Sequence, residues 1–207
     1  MRPLTVTTFL TMDGVMQAPG GKGEDPSGGF RFEGWVVPYF DEDGGRQIAE
    51  WFSRAEDFLL GRYTYELFAA HWPKMPTEGD PIAQTLNTKT KHVASRTLAS
   101  LDWDTARLIR GDLVDAVRAL KAADGGELQV HGSAGLVQTL LREDLVDELR
   151  LVVFPVTLGE GKRLFGGGTV PRSWRLTAFS ATKPGVLFAS YERAGDVELG
   201  TFRLDDE

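Results

Sequence analysis

The spacing of apolar residues divides the chain into alternating strands and helices. Residues 4–10 are β-branched and aromatic, as in a buried strand. Shorter apolar runs predict further strands at residues 57–60, 91–95, 106–109, 128–130 and 148–156. Apolar residues at helical spacing predict helices near residues 46–55, 64–70, 113–124 and 136–145. Strands joined by connections of helical length form parallel sheets with right-handed crossovers, so we predict a doubly wound α/β sheet.

The end of the chain changes this pattern. Residues 174–181 and 186–193 predict the two arms of an antiparallel hairpin that turns at Lys183-Pro184-Gly185. The predicted sheet is therefore mixed but mostly parallel. No linker divides the sequence, so we expect residues 1–207 to form a single domain, with residues 195–207 as a loose tail or an added edge strand.

Two stretches do not predict regular structure. Residues 15–45 are rich in glycine and proline, but their aromatic side chains argue against disorder. They form either a loop that covers a ligand cleft or a surface loop packed on its own side chains. Farther along, Pro73, Pro76 and Pro81 predict a break in regular structure.

Charge and composition narrow the function. The net charge of −7 argues against nucleic acid as the main partner, because phosphate contacts need clustered Lys and Arg. The chain has no cysteine, and its three histidines lack metal-ligand spacing, so we expect no metal site. No apolar run has the length of a membrane span, and we expect no membrane partner and a cytoplasmic protein.

Small residues, hydroxyls and arginines follow three of the predicted strands. The turn of residues 132–135 (Gly-Ser-Ala-Gly) leads into a helix, whose first N–H groups can hold an anion. Residues 61–64 (Gly-Arg-Tyr-Thr) form a second such turn, although Arg62 there could be a solvated charge and Thr64 a plain helix cap. Ser95 and Arg96 stand at the end of a third strand. Ligands bind at the carboxyl ends of strands in such sheets, so the three turns together predict a dinucleotide-like ligand.

Other polar residues have simpler interpretations. The carboxylates of residues 41–43 precede a helix and most often stabilise its N-terminus. His131 ends a strand and is interpreted as a packed, hydrogen-bonded histidine.

Four motifs give the chain a family resemblance. They are Met12-Asp13-Gly14, the run Gly-Arg-Tyr-Thr-Tyr-Glu of residues 61–66, the glycine-containing turn of residues 130–136, and Asp-Glu-Leu of residues 147–149 followed by Pro155, Gly159, Gly161, Leu164 and Phe165. The set resembles the dihydrofolate reductase fold, and more closely the reductase domain of the bifunctional deaminase/reductase of riboflavin biosynthesis.

The resemblance implies NADPH as cofactor and a homodimer. It implies that Arg62 and Thr64 lie along the cofactor's phosphates and that Ser95 and Arg96 lie at the 2′-phosphate. It places the residues of one turn under the pyrophosphate, namely Gly132, Ser133, Ala134, Gly135 and Leu136, with Gly61 allowing close approach. It places the loop of residues 15–45 over the nicotinamide and Asp13 near the substrate, where Asp13 is the catalytic candidate.

The sequence departs from the folate enzymes at two positions. When Trp51-Phe52 is aligned with the family's Trp-Phe, Ile48 occupies the place of the acid that binds the pterin ring, so folate is not the expected substrate. The family's glycine pair, joined by a cis peptide in folate reductases, is Gly132-Ser133 here.

We therefore predict an NADPH-dependent reductase that transfers hydride to a small polar substrate, such as one like 5-amino-6-(5-phosphoribosylamino)uracil in riboflavin biosynthesis. The alternative is a protein that binds NADPH or another nucleotide without turnover. A cleft plugged by Trp35 or Phe40 would favour this alternative.

Overall fold

One mixed sheet runs through the chain. The computed structural model describes residues 1–202 of the 207. The strands are β1 (Leu4–Thr11), β2 (Ala55–Gly61), β3 (Thr90–Ala94), β4 (Ala106–Leu108), β5 (Glu127–Val130), β6 (Glu148–Phe154), β7 (Ser173–Ala181) and β8 (Leu187–Gly195). The helices are α1 (Glu42–Ser53), α2 (Arg62–His71), α3 (Pro81–Thr88), α4 (Leu113–Ala122) and α5 (Ala134–Arg142). The sheet order is β4-β3-β2-β5-β1-β6-β8-β7.

The strand directions confirm the predicted fold class. Strands β1 to β6 are parallel to their sheet neighbours among themselves, whereas β8 is antiparallel to both β6 and β7. Because parallel strands point the same way, β1, β2, β3, β5 and β6 all end at one edge of the sheet. We call this edge the carboxyl edge. It places the turns after β2, β3 and β5 side by side.

Helices cover both faces of the sheet. On one face α4 and α5 pack through residues such as Val117 and Leu140 against Val6 and Val130. On the other face α1, α2 and α3 contribute an aromatic-rich core that includes Phe52. Side chains alternate along β1 and β5, so each strand supplies apolar residues to one face and a mixture of polar and apolar residues to the other.

Helix caps explain where the structure differs from the sequence prediction. Asp41 accepts a hydrogen bond from the Gly44 N–H at 2.9 Å, so α1 begins at Glu42, before the predicted start near residue 46. The predicted break at Pro81 was wrong. Asp80 accepts from the N–H groups of Ile82 and Ala83 at 2.9 and 3.0 Å, and Pro81 occupies the first helical position, where its missing N–H costs nothing.

The C-terminal hairpin forms as predicted, with β7 and β8 joined around Gly185. Residues 196–202 form no additional strand, and residues 203–207 lie outside the described part of the chain. In the described part, no helix is both long enough and apolar enough to cross a membrane.

Candidate functional site

A cavity of about 1230 Å³ opens at the carboxyl edge of the sheet. Its floor is the end of β1 and the turn after β5, and helices α1, α2 and α5 form its walls. Two loops complete the rim, residues 16–25 from the segment after β1 and residues 161–166 from the segment after β6.

The turns after β2 and β5 interlock at one end of this cavity. The Gly61 N–H donates to the Gly132 carbonyl at 3.2 Å, and both the N–H and the hydroxyl of Thr64 donate to Ser133 Oγ at 3.2 Å. A Cβ atom on Gly61 would lie 2.5 Å from Ser133 Oγ, and one on Gly132 would lie 2.7 Å from Thr64 Oγ1. The Gly132–Ser133 peptide is cis, as in the folate reductases that the sequence resembles. Glycine is thus required at both positions by contact between the two turns.

The same arrangement leaves the N-terminus of α5 without a side-chain cap. Ser133 precedes α5, but its hydroxyl is bonded to Thr64 and does not cap its own helix. Helix α2 begins after Gly61, which has no side chain, and Ser133 Oγ takes the place of a cap by accepting from the Thr64 N–H in its first turn. The backbone of Ala134 and Gly135 lines the cavity, so the first turn of α5 can donate hydrogen bonds to an anion there.

The structure brings together five of the ten predicted cofactor residues at the cavity wall: Thr64, Gly132, Ser133, Ala134 and Gly135. Gly61 lies directly behind Ser133. Leu136 packs instead into the core beneath α5, with 6% of its surface exposed.

Arg62, Ser95 and Arg96 lie beyond the cavity wall. The Arg62 guanidinium is exposed and lies 3.5 Å from Glu66, one helical turn away. Ser95 Oγ accepts from the N–H groups of Thr97 and Leu98. Gly61 is paired with Ala94 across β2 and β3, so Arg62 and Ser95 begin neighbouring turns along the same edge. These three residues therefore lie at the carboxyl edge but outside the cavity.

The carboxylate of Asp13 is held by groups from two loops. Its carboxylate accepts hydrogen bonds from the Thr11 hydroxyl at 2.6 Å and from the Leu158 and Gly159 N–H groups, and it pairs with Arg163 at 3.2 Å. The bond from Thr11, aided by those from Gly159 and Leu158, lowers the pKa of Asp13 to about 2 against the opposing effect of burial. Asp13 is absent from the cavity wall, and a carboxyl with this pKa holds no proton at neutral pH. These contacts support a role for Asp13 in anchoring the loop after β6. Asp13, the predicted catalytic residue, does not contact the cavity.

We expect Asp13→Asn to destabilise the protein by about 1 kcal/mol at pH 7, since an amide weakens charge-assisted bonds that solvent partly screens. The pKa of Asp13 is lower in the folded protein than in the unfolded chain. Its contribution is therefore complete above pH 4 and disappears as the pH falls toward 2. Urea unfolding at pH 7 and pH 3 measures this. A difference between variant and wild type that does not shrink at pH 3 would contradict it.

The segment after β1 both packs on itself and covers the cavity. The Trp35 indole N–H donates to the Gln17 carbonyl at 2.8 Å, and the ring packs edge-on against Phe154. Residues 20–25 line the cavity, whereas Trp35 and Phe40 do not. Residues 15–45 thus form a loop of which one part covers the cavity and another part packs on its own side chains.

Sequence reasoning missed Glu24 in this loop. Glu24 lines the cavity, and burial raises its pKa although the N–H groups of Gly20 and Gly21 donate to it. Lys162 lines the cavity from the opposite loop and pairs with Asp25. No periodic pattern marks side chains in an irregular loop, so only the folded geometry identifies them.

His131 is packed and hydrogen-bonded, as interpreted from sequence. It stacks on Phe52 with ring centroids 4.2 Å apart, and its Nε2 lies 3.0 Å from the Gln129 side-chain oxygen. Burial, and secondarily the charge of Arg150, lowers the pKa of His131 to about 3. The same residue lines the cavity, next to the Gly132 turn.

Solved structures share this fold. A protein from Shewanella sp. PV-4 whose name assigns it provisionally to riboflavin biosynthesis superposes with a TM-score of 0.69 at 23% identity, covering 93% of this chain and 99% of its own. A pyrimidine reductase-like protein from Corynebacterium diphtheriae superposes with a TM-score of 0.60 at 14% identity, covering 94% of this chain and 93% of its own. At these identities the likeness concerns the fold.

Sequence comparison gives the family. Two uncharacterised proteins of Bacillus subtilis (strain 168) are similar: YyaP is 29% identical over 79% of this chain and 80% of its own length, and YwjB is 27% identical over 61% and 67%. The sequence model described as the RibD C-terminal domain matches residues 2–188. Because this match spans nearly the whole described chain, the chain belongs to the RibD C-terminal domain family.

Proposed function

We propose that this protein is an NADPH-dependent reductase that transfers hydride to a small polar molecule. The observation that carries the proposal is the pair of interlocked turns at the cavity, where the uncapped N-terminus of α5 faces the open space. Such a terminus binds phosphate through backbone N–H groups and the helix dipole. We assign Ala134, Gly135 and Thr64 to the diphosphate of the cofactor.

The size of the cavity leaves room for a substrate beside the cofactor. Pockets for a single small ligand measure roughly 300 to 1000 Å³, and this one is about 1230 Å³. NADPH supplies the hydride when it is bound. The residues of this chain would hold its phosphates at α5, leave the aromatic part of the cavity for nicotinamide and substrate, and exclude water with the loop of residues 20–25.

The outer turns along the carboxyl edge suit the adenosine half of the cofactor. Arg62 and Ser95 follow the paired ends of β2 and β3, and Arg62, Ser95 and Arg96 do not line the cavity. An arginine fork and a hydroxyl can recognise the 2′-phosphate, which distinguishes NADPH from NADH. We therefore keep these residues in the proposed cofactor site.

The cavity is open beside its aromatic residues, which include Phe9, Phe52 and Trp72. Space for a substrate there favours an enzyme over a protein that only stores nucleotide. Neither Trp35 nor Phe40 plugs the cavity, and polar groups from both rim loops reach it. Ile48 lines the cavity with its apolar side chain, so α1 offers no acid to a pterin ring. A substrate like 5-amino-6-(5-phosphoribosylamino)uracil fits the family better than folate, and we include a homodimer in the proposal.

Titration with NADPH and NADH, followed by tryptophan fluorescence, tests the cofactor. Trp72 lines the cavity and serves as the reporter. We expect micromolar binding of NADPH and weaker binding of NADH. Ser95→Ala should reduce the preference for NADPH by about 10-fold, the effect of losing one charge-assisted hydrogen bond, and Arg62→Ala should weaken the binding of both nucleotides.

Arg175→Ala is the matched control, because Arg175 lies on β7 away from the cavity and 69% of its side chain is exposed. This variant should bind NADPH like the wild type. Absence of micromolar binding of either nucleotide would contradict the proposal. Binding of NADPH without oxidation of it by any pyrimidine or carbonyl substrate would favour the alternative of a nucleotide-binding protein.

A further inference from the structure

The floor of the cavity carries a histidine whose protonation pattern is fixed by its neighbours. Gln129 is fully buried, and its side-chain NH₂ donates to the Trp51 carbonyl at 2.6 Å. That bond orients the amide so that its oxygen faces His131 Nε2 at 3.0 Å. An amide oxygen can only accept, so Nε2 of His131 must carry the hydrogen. The other ring nitrogen, Nδ1, is left with a lone pair.

The lone pair of Nδ1 is available to a ligand. His131 lines the cavity, and Nδ1 has no hydrogen-bond partner among residues 1–202. Nor is it one of the polar atoms that are sealed from solvent without a partner. Nδ1 is therefore reached from the cavity. Stacking on Phe52 holds the plane of the ring, so the direction of the lone pair is set before any ligand arrives.

Thr7 adds a second polar group beside His131. Val6 is paired with Val130 across β1 and β5, so Thr7 and His131 are the next residues in register and share a face of the sheet. Thr7 lines the cavity, is 4% exposed, and its hydroxyl has no partner in the described chain. An unpartnered buried hydroxyl is costly, so a ligand group within its reach would be bound favourably.

We infer that His131 selects the substrate, accepting at Nδ1 a hydrogen bond from an N–H or O–H group of the ligand, with the Thr7 hydroxyl as neighbouring partner. This inference rests on the proposed function in taking the occupant of the cavity floor to be the substrate. In the folate enzymes an acid on the first helix binds the substrate, but Ile48 stands at that place here. Under this inference a residue at the end of β5 recognises the substrate instead. The ligand it fits carries an N–H or O–H donor on the edge that faces the cavity floor.

A fixed acceptor discriminates more strongly than a group that can exchange its roles. Burial lowers the pKa of His131 to about 3, so the ring stays neutral across the physiological range and cannot turn into a double donor. A ligand that offers only acceptors to this floor would leave Nδ1 unpaired and lose its own bonds to water. His131 thereby acts on specificity and donates no proton to the reaction.

Two substitutions at one position test the inference because they remove opposite features of the ring. His131→Asn places an amide oxygen where Nδ1 lies and keeps the acceptor, but it loses the stacking on Phe52. His131→Phe keeps the stacked ring and loses the acceptor. The probes are 2-aminopyrimidine, which has an N–H donor, and 2-methoxypyrimidine, which has the same shape without one. Binding is measured by NMR titration of the intact protein, with circular dichroism as the check of folding.

Wild-type protein should bind the amino compound about 10-fold more tightly than the methoxy compound, the effect expected of one hydrogen bond. His131→Asn should retain this preference, and His131→Phe should lose it. The reverse order, with Phe retaining and Asn losing the preference, would assign His131 to packing and overturn the inference. Equal binding, or no binding, of both probes by the wild type would also overturn it.

A ligand-independent measurement covers the case of a misfolded variant. Nitrogen-15 NMR of the wild-type imidazoles should show His131 protonated at Nε2 alone between pH 5 and pH 8. A proton on Nδ1 at any of these pH values contradicts the inference. NADPH titration separates this result from the proposed function. If the protein selects between the pyrimidines but does not bind NADPH, the assignment of His131 stands and the reductase is rejected. If it binds NADPH but does not select, the reductase stands and the assignment of His131 is rejected.

Discussion

Replacing Gly61 or Gly132 with alanine is expected to weaken NADPH binding by about 100-fold, the largest effect on the proposed site. The Gly61 methyl would lie 2.5 Å from Ser133 Oγ and 2.9 Å from the Ser133 nitrogen. At Gly132 the methyl would lie 2.7 Å from Thr64 Oγ1, and the residue has a φ of +123°, which side chains other than glycine rarely adopt. Either change forces the turns after β2 and β5 apart. The uncapped helix start and Thr64 then no longer face one ligand.

Gly135→Ala separates binding from folding in this experiment. Gly135 lies in the first turn of α5, has no φ in the left-handed region, and has no atom within 4 Å of a built Cβ. Alanine should leave the free energy of unfolding unchanged or raise it by up to about 1 kcal/mol, because it favours helix. Gly135 lines the cavity, and its Cβ position is open space beside the proposed phosphate site, so NADPH affinity should still fall.

The measurement pairs urea unfolding with NADPH titration for the three variants. We expect Gly61→Ala and Gly132→Ala to lose both stability and affinity, and Gly135→Ala to lose affinity alone. Wild-type NADPH affinity in Gly135→Ala would place the phosphates elsewhere, and wild-type affinity in all three would reject this end of the cavity as the cofactor site.

The sheet could be predicted from sequence because its signals are local. Each parallel strand is a short apolar run, and each helix has an apolar stripe, so the alternation of β2, β3, β5 and β6 with helices follows from periodicity. Helix α3 was missed because a proline was interpreted as a break. The effect of Pro81 depends on the residue before it. Because Asp80 caps the helix, Pro81 is the first residue of α3 and does not break it.

The site could be predicted only in part, for a physical reason. Turns at the carboxyl edge are recognisable from sequence because small residues follow strands, and Thr64 and the Gly132 turn do line the cavity. Gly61 was expected to make room for a ligand, but the nearest atoms to its Cβ position belong to Ser133. Which neighbour a glycine admits depends on packing between distant segments, and no single sequence contains that information.

Asp13 and His131 both have surroundings that their places in the sequence do not indicate, for the same reason. Asp13 was the catalytic candidate, yet donors from Thr11, Leu158 and Gly159 surround its carboxylate. His131 was interpreted as a packed residue, yet it also faces the cavity. The sequence does not show whether a ligand can reach an aspartate in a motif or a histidine at the end of a strand. Hydrogen-bond partners from other elements decide whether the side chain is free to contact a ligand.

Beneath the cavity floor a buried ion cluster supports the strands that carry His131. The Arg150 side chain on β6 is 2% exposed and bonds to Glu127 at 2.7 Å and Glu148 at 2.8 Å. Its guanidinium also lies over the Trp51 ring, 5.7 Å from the centroid. The cluster joins β5 to β6 across β1, so it fixes the position of the central strands.

We therefore expect Arg150→Met to lower the free energy of unfolding by about 3 to 5 kcal/mol, because it leaves two carboxylates without their cation in a buried setting. Arg175→Met is the matched control: Arg175 pairs with Glu192 at the same 2.7 Å, but the two side chains are 69% and 50% exposed. Solvent screens such a pair, so its loss should cost less than about 1 kcal/mol. Urea unfolding of both variants measures the difference.

A third variant identifies the origin of the loss. Combining Arg150→Met with Glu127→Gln and Glu148→Gln removes the unpaired charges, and replacing a whole buried ion cluster is often nearly neutral. The combined variant should therefore be more stable than Arg150→Met alone. If it is no more stable, the loss comes from the missing contact with Trp51 and from packing. If Arg150→Met and Arg175→Met cost the same, burial adds nothing to the cluster, and the central strands are held by their apolar faces alone.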